Sequence, residues 1–261
     1  MTRPTDPARP NRRAAAQAAR KLAAELPISH PTQLALEIVA HARRARVKTV
    51  PLARAEASVV RVGERGVIGV AAEQAYHRRR FSIAHELGHF ELHPESCWLD
   101  ACVSSDGLEP RNTPKPAREH EADAFATEYL MPRRLLAPRC ADADATWDFV
   151  HDVAGEFDVS LTSAAMRFVS LSKRPVALVC LREGRVAWQR TAWRMRARIE
   201  GGRTPGARSS AIAARPWWPT ERTTVPADTW LSGAAPGEVV REHALAMEAY
   251  GRVMVLIEGV G

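Results

Sequence analysis

Apolar residues recur at helical spacing in two early stretches of the chain. Residues 14–25 are alanine-rich, and residues 31–45 set Leu34, Leu36, Ile38, Val39 and Ala42 along one side of a helix. Three short runs with strand-like apolar content follow, over 47–52, 58–62 and 67–71. The last two flank Gly63-Glu64-Arg65-Gly66, which predicts a hairpin. Helical periodicity returns over 79–93 and 116–130, and the Ser, Asp, Gly, Asn and Pro between them (94–113) predict a loop. Residues 147–171 hold two short helical patterns separated by Phe157-Asp158-Val159-Ser160, with Ser160 or Thr162 as the cap of the second.

Lys173-Arg174-Pro175 marks a boundary. Beyond it, residues 176–181 and 185–190 alternate around Glu183-Gly184, a second hairpin. Residues 200–210 are rich in Gly, Arg and Ser and read as mobile. The end of the chain is ambiguous: 242–250 contains good helix formers, whereas 252–257 is a clear strand. The organisation expected is a flexible tail (1–13), a first domain over 14–173 that ends in a helical segment (146–172), and a smaller α+β domain over 175–261.

Composition narrows the function classes. With 261 residues, 46% hydrophobic and 26% charged, the chain buries a core of its own and is not disordered. Its longest apolar run, Val176 to Leu181, is far short of the ~20 residues of a membrane span. The basic, proline-bearing start is not followed by the apolar core of a secretory leader. A soluble, cytoplasmic protein without a membrane partner is expected. Cys97, Cys102, Cys140 and Cys180 form no C-x-x-C pair, so reduced thiols are expected rather than a zinc ribbon.

The net charge of +7 is unevenly placed: residues 91–160 hold 15 acidic and 6 basic side chains, and residues 182–222 hold ten arginines against three glutamates. No stacking-aromatic or ribonucleoprotein-type pattern accompanies those arginines. A solvated basic face is therefore expected, and direct nucleic-acid binding is not.

The chemistry concentrates in Phe81-Ser82-Ile83-Ala84-His85-Glu86-Leu87-Gly88-His89-Phe90. Residues four apart on a helix share a face, so His85 and His89 aim two imidazoles at one point, the H-E-x-x-H arrangement of zinc hydrolases. Glu86 is the next residue, placed to take a proton from water without itself binding the ion. Chance produces this pattern about 0.02 times in a chain of this make-up. Apolar Phe81, Ala84, Leu87 and Phe90 around it also argue against a solvated surface helix. Gly88 leaves room for a close neighbour.

A third protein donor is needed for a catalytic zinc site with one open position. In residues 118–132 a stripe of Ala122, Phe125, Ala126, Tyr129 and Leu130 marks the buried face of a helix. Glu119 falls nearer the centre of that stripe than Glu121, which makes Glu119 the expected third donor and Glu121 the alternative. Asp123, one turn on, suits a hydrogen bond to a metal-binding histidine. His93 is one turn beyond His89, but three such rungs span about 12 Å, too long for one ion to touch all three. His93 is expected behind the site or at the surface, and His120 beside Glu119 has no assigned side.

These stretches resemble the ImmA/IrrE metallopeptidases of bacteria and their mobile elements. The resemblance is carried by Arg79-Arg80-Phe81-Ser82-Ile83-Ala84-His85-Glu86-Leu87-Gly88-His89-Phe90, by Glu119-His120-Glu121-Ala122-Asp123-Ala124-Phe125-Ala126 and by Leu130-Met131-Pro132, within about residues 30–172. It implies a zincin-like α+β metallopeptidase domain with a small antiparallel sheet. It also implies Zn2+ held by His85, His89 and Glu119, with Glu86 as the catalytic base. The family's carboxylate, three residues before the alanine, falls on Glu119. The implied substrate is a protein, a helix-turn-helix repressor of the XRE type, whose cleavage releases stress-response or mobile-element genes. Longer members carry a sensor-like module, and residues 175–261 stand where one would.

Overall fold

The computed structural model describes residues 9–52, 55–94, 101–102, 116–196, 198–214 and 218–259. The chain divides into two units, Met1–Pro132 with Phe157–Ser160, and Arg133–Glu156 with Leu161–Gly261. Both combine helices with a sheet, the α+β class expected. No described helix is long and apolar enough to cross a membrane.

In the first unit the order is α1 (Arg12–Glu25), a 3-10 turn at Pro31–Gln33, α2 (Leu36–Ala42), β1 (Ala45–Val50), β2 (Ala57–Val62), β3 (Arg65–Ala71), α3 (Tyr76–Leu92), β4 (Ala101–Cys102) and α4 (Ala117–Leu130). α1 starts two residues earlier than its alanine run because the Asn11 side chain accepts from Ala14 N at 3.0 Å. The single helix expected over 31–45 is broken. Gln33 accepts from the His30 backbone at 3.1 Å and closes a capping box on the 3-10 turn. α2 then ends at Ala42, and Arg44 takes a left-handed φ of 63° to swing the chain into β1.

The sheet order is β1-β3-β2-β4. β2 and β3 form the expected hairpin, with Gly63 left-handed at its turn. β1, however, runs parallel to β3, so the sheet is mixed where an antiparallel one was implied. Apolar β3, with Gly66, Ile68, Gly69 and Val70 buried, takes an interior position, and the more polar β1 forms an edge. Most of the loop expected over 94–113 lies outside the described residues, but Ala101–Cys102 pairs with β2.

α3 is the spine of this unit. It packs on β2, β3 and α4, and every side chain from Ser82 to Phe90 is buried. Burying Ile83, Leu87 and Phe90 is worth about 1.5–3 kcal/mol each. Its last turn is fastened twice: Arg43 grips Glu91 through two 2.9 Å hydrogen bonds, and Arg61 stacks 4.3 Å over the Phe90 ring while donating to Phe90 O at 2.8 Å. Its first turn holds the segment Phe157–Ser160. The Asp158 carboxylate accepts from Tyr76 Oη at 2.6 Å, and its carbonyl accepts from Arg80 Nε at 3.0 Å. The buried face of α1 (Ala15, Ala19, Leu22) packs on α4, where small side chains permit close approach.

The second unit contains α5 (Arg133–Cys140), α6 (Trp147–Phe157), α7 (Leu161–Leu171), β5 (Val176–Arg182), β6 (Arg185–Thr191), β7 (Thr223–Pro226), β8 (Val239–Met247) and β9 (Arg252–Gly259). α5 was not expected, because Pro138 and three arginines hide its apolar period. The strands form an antiparallel sheet ordered β6-β5-β9-β8-β7. α7 covers β5 and β6, while Val179, Leu181, Val240, Val255, Ile257 and Trp230 share one core cluster.

β8 settles the ambiguous end of the chain. Its helix formers are overridden by pairing with β9 and by burial on both faces from Glu242 to Ala246, and Glu242 accepts from Ser209 Oγ at 3.0 Å and from Trp230 Nε1. The 200–210 segment, expected to be mobile, is pinned to neighbouring backbone: Gly202 N donates to Val186 O, and Gly206 N to Thr229 O. An aromatic does stand among the arginines: Trp193 is exposed, with Arg194 stacked 4.7 Å from its ring. Cys140 and Cys180 are buried thiols that form no disulfide. Cys97 and the Cys102 side chain lie outside the described residues.

Candidate metal centre

Two packed helices present the site. α3 carries His85, Glu86 and His89, and α4 carries Glu119 and Asp123. What lets them approach is Gly88: a Cβ there would meet the Phe125 side chain at 3.1 Å. The stripe Ala122, Phe125, Ala126, Tyr129 and Leu130 is buried as its spacing predicted. Glu119 lies at the start of that helix, beside α3.

His85, His89 and Glu119 come together as one cluster of potential metal donors. His85 Nε2 is 3.1 Å from His89 Nε2 and 3.4 Å from Glu119 Oε2, and His89 Nε2 is 3.3 Å from Glu119 Oε1. Two donors held 2.0–2.1 Å from a zinc ion at the tetrahedral angle lie about 3.3 Å apart. The two imidazole nitrogens stand at about that separation and each meets one oxygen of the Glu119 carboxylate at a similar distance, so these residues fit the ion that the motif implies. His85 and His89 are buried, and Glu86 has no exposed surface.

The electrostatics point the same way. Burial alone would pull the His85 imidazole down, but its hydrogen bonds to Asp123 and Glu119 and the charges of Asp123 and Glu86 outweigh it and raise its pKa to about 9. Burial works to raise Glu119, yet hydrogen bonds from His85 and His89 hold its carboxyl well below the usual carboxylate range. The carboxylates of Asp123, Glu119 and Glu86 thus make the surroundings of His85 favour positive charge.

The surrounding residues sort themselves by distance. Asp123 Oδ1 lies 3.1 Å from His85 Nδ1, the position expected of a carboxylate that orients a metal-binding imidazole. Glu121, the alternative third donor, turns away from the triangle and accepts from His93 Nε2 at 2.8 Å. His120 faces α1, where its Nδ1 is 3.1 Å from Arg12 Nη2. Phe81 is one turn before His85, with ring centroids 6.1 Å apart. The grip of Tyr76 and Arg80 on Asp158 was not foreseen, since nothing local in the sequence links residues so far apart.

A family model described as an IrrE N-terminal-like domain of the peptidase M78 class matches residues 33–169, over half of the chain. The chain belongs to this peptidase family, as its motifs implied. Among solved structures, a Mycobacterium tuberculosis transcriptional regulator shares the fold, with a TM-score of 0.58 at 14% identity over 94% of this chain and 76% of that one. No curated protein matches.

Proposed function

We propose that the chain is a zinc-dependent endopeptidase that cleaves a protein regulator in the cytoplasm, foremost a helix-turn-helix repressor of the XRE type. The observation that carries this reading is the convergence of two imidazoles 3.1 Å apart, each 3.3–3.4 Å from an oxygen of Glu119, beside a carboxylate without exposed surface. His85, His89 and Glu119 would hold the ion. Zinc supplies a Lewis acid that acidifies water and stabilises developing negative charge on a carbonyl oxygen.

The remaining work falls to the chain's own groups. Glu86 accepts the proton of the attacking water and returns it to the leaving amine nitrogen. Asp123 accepts from His85 Nδ1, which keeps the Nε2 lone pair of that ring directed into the triangle. Buried walls of α3 and α4 restrict water around Glu86, so its charge is little screened. Residues 175–261 are assigned a regulatory role in this reading.

Membership of a peptidase family supports hydrolysis. The fold neighbour from Mycobacterium tuberculosis is a transcriptional regulator, which is compatible with a regulatory setting. The test is incubation of the full chain with the helix-turn-helix protein encoded nearest to it, with and without chelator, read by mass spectrometry. Fragments that form only without chelator support the proposal. An intact partner that no longer binds DNA would favour a rival reading, sequestration without cutting.

A further inference from the structure

We propose that His93 and Glu121 act as one hydrogen-bond chain that fixes the tautomer and ring plane of His89 and so sets how tightly the centre holds its ion. The proposal rests on the metal-peptidase reading above and concerns residues outside the donor triangle.

The links are continuous. His89 Nδ1 is 3.2 Å from His93 Nδ1, His93 Nε2 is 2.8 Å from Glu121 Oε2, and Glu121 Oε1 accepts from the backbone N–H of Asn11 at 2.6 Å. The direction of each link follows from chemistry. An imidazole that binds an ion through Nε2 keeps its proton on Nδ1, so His89 donates to His93 Nδ1. His93 must then carry its own proton on Nε2, which donates to Glu121. A backbone amide only donates, so Glu121 accepts at its other oxygen as well. Every group has one role, and the roles agree from end to end.

This arrangement differs from the support of the other imidazole. His85 Nδ1 meets the Asp123 carboxylate directly at 3.1 Å, whereas His89 reaches its carboxylate through a second ring. The far end is also anchored. Asn11 caps α1 through its side chain, and the next residue, Arg12, holds His120, the neighbour of Glu121. The first turn of α1 is thereby tied to adjacent residues of α4. His93 and Glu121 keep only 14% and 20% of their side-chain surface exposed, so solvent competes weakly for these bonds.

The experiment compares full-length wild type, His93→Ala, His93→Asn, Glu121→Gln and the double variant His93→Ala/Glu121→Gln, with His85→Ala as control. Zinc affinity is measured by competition against a chromophoric chelator, and cobalt-loaded protein is read by its visible bands. Loss of a group that orients a metal ligand weakens affinity by about 10- to 100-fold. His93→Ala and Glu121→Gln should each fall in that range and shift the cobalt bands. The double variant should lose little more than either single one, because the chain works as a unit.

His93→Asn, whose carboxamide oxygen stands near the place of Nδ1, should recover part of the loss. Glu121→Gln keeps the shape of the side chain and retains the test if the alanine variant folds poorly. Zinc affinity within twofold of wild type in both single variants, with His85→Ala unable to bind, would overturn this proposal alone. Wild-type affinity in His85→Ala would instead overturn the metal-centre reading beneath it.

Discussion

Gly88 of α3 lies so close to Phe125 of α4 that a Cβ on the glycine would stand 3.1 Å from the Phe125 Cβ. The contact atom is fixed by the backbone and cannot swing aside, and Phe125 is fully buried. Gly88→Ala brings a helix-propensity gain of about 0.5–1 kcal/mol. Against this, forcing a methyl into a packed core costs about 1–3 kcal/mol. The overpacking should win. We expect a lower midpoint in chemical denaturation and weaker zinc binding, since parting α3 from α4 carries Glu119 away from the two histidines. An unchanged midpoint would show that α4 yields freely.

Glu86→Gln separates binding from chemistry. The amide keeps the volume of a side chain without exposed surface but accepts no proton. Hydrolysis should fall by about 10²–10⁴-fold, the usual worth of a positioned general base, with zinc content unchanged. Cleavage rate and metal content measured on one preparation check this, and cleavage at the wild-type rate would exclude Glu86 as the base.

Asp158 holds the Phe157–Ser160 turn on α3 through Tyr76 and Arg80, and it does so at a φ of 52°. Asp158→Ala removes the carboxylate from beside buried Arg80 and leaves a residue ill suited to that backbone. A loss of about 1–3 kcal/mol in urea denaturation is expected. Asp158→Asn, which tolerates the same φ and can still accept from Tyr76, should lose less.

Cys140 should be inert in the folded chain. Burial pushes its thiol up to about 12, so it stays protonated at pH 8. Iodoacetamide followed by peptide mapping should leave it unmodified until the protein is unfolded. The sign of the linked stability follows: the unfolded thiol ionises near 8.5 and the folded one far later. The folded state therefore holds the extra proton above about pH 8.5, and this group's contribution is lost as pH rises from there toward 12.

Much of the first unit was legible because its signals are local. The four-residue spacing of His85 and His89, the apolar stripe of α4 and the glycine-flanked hairpin each fix an element without knowledge of the rest. The face of α4 that carries Glu119 and Asp123 follows from helical angle, since the buried stripe shows which side faces inward, while Glu121 stayed open as the alternative donor. What escaped depended on partners distant in sequence. The helix expected over 31–45 is cut short by the capping box at Gln33 and by the end of α2 at Ala42, and β1 pairs in parallel with β3, a strand twenty residues further on. β8 became a strand although its residues favour helix, because the apolar centre of β9, Val253 to Ile257, pairs with it. The ties from Asn11 to Glu121 and from Tyr76 to Asp158 span 110 and 82 positions, beyond any local pattern.

The most direct test of the donor triangle is calorimetric titration of the full-length chain with zinc, beside Glu119→Ala. Wild type should take up one ion per chain with high affinity, and the variant, left with two imidazoles, should bind far more weakly. Equal affinity and stoichiometry in the two proteins would contradict the account.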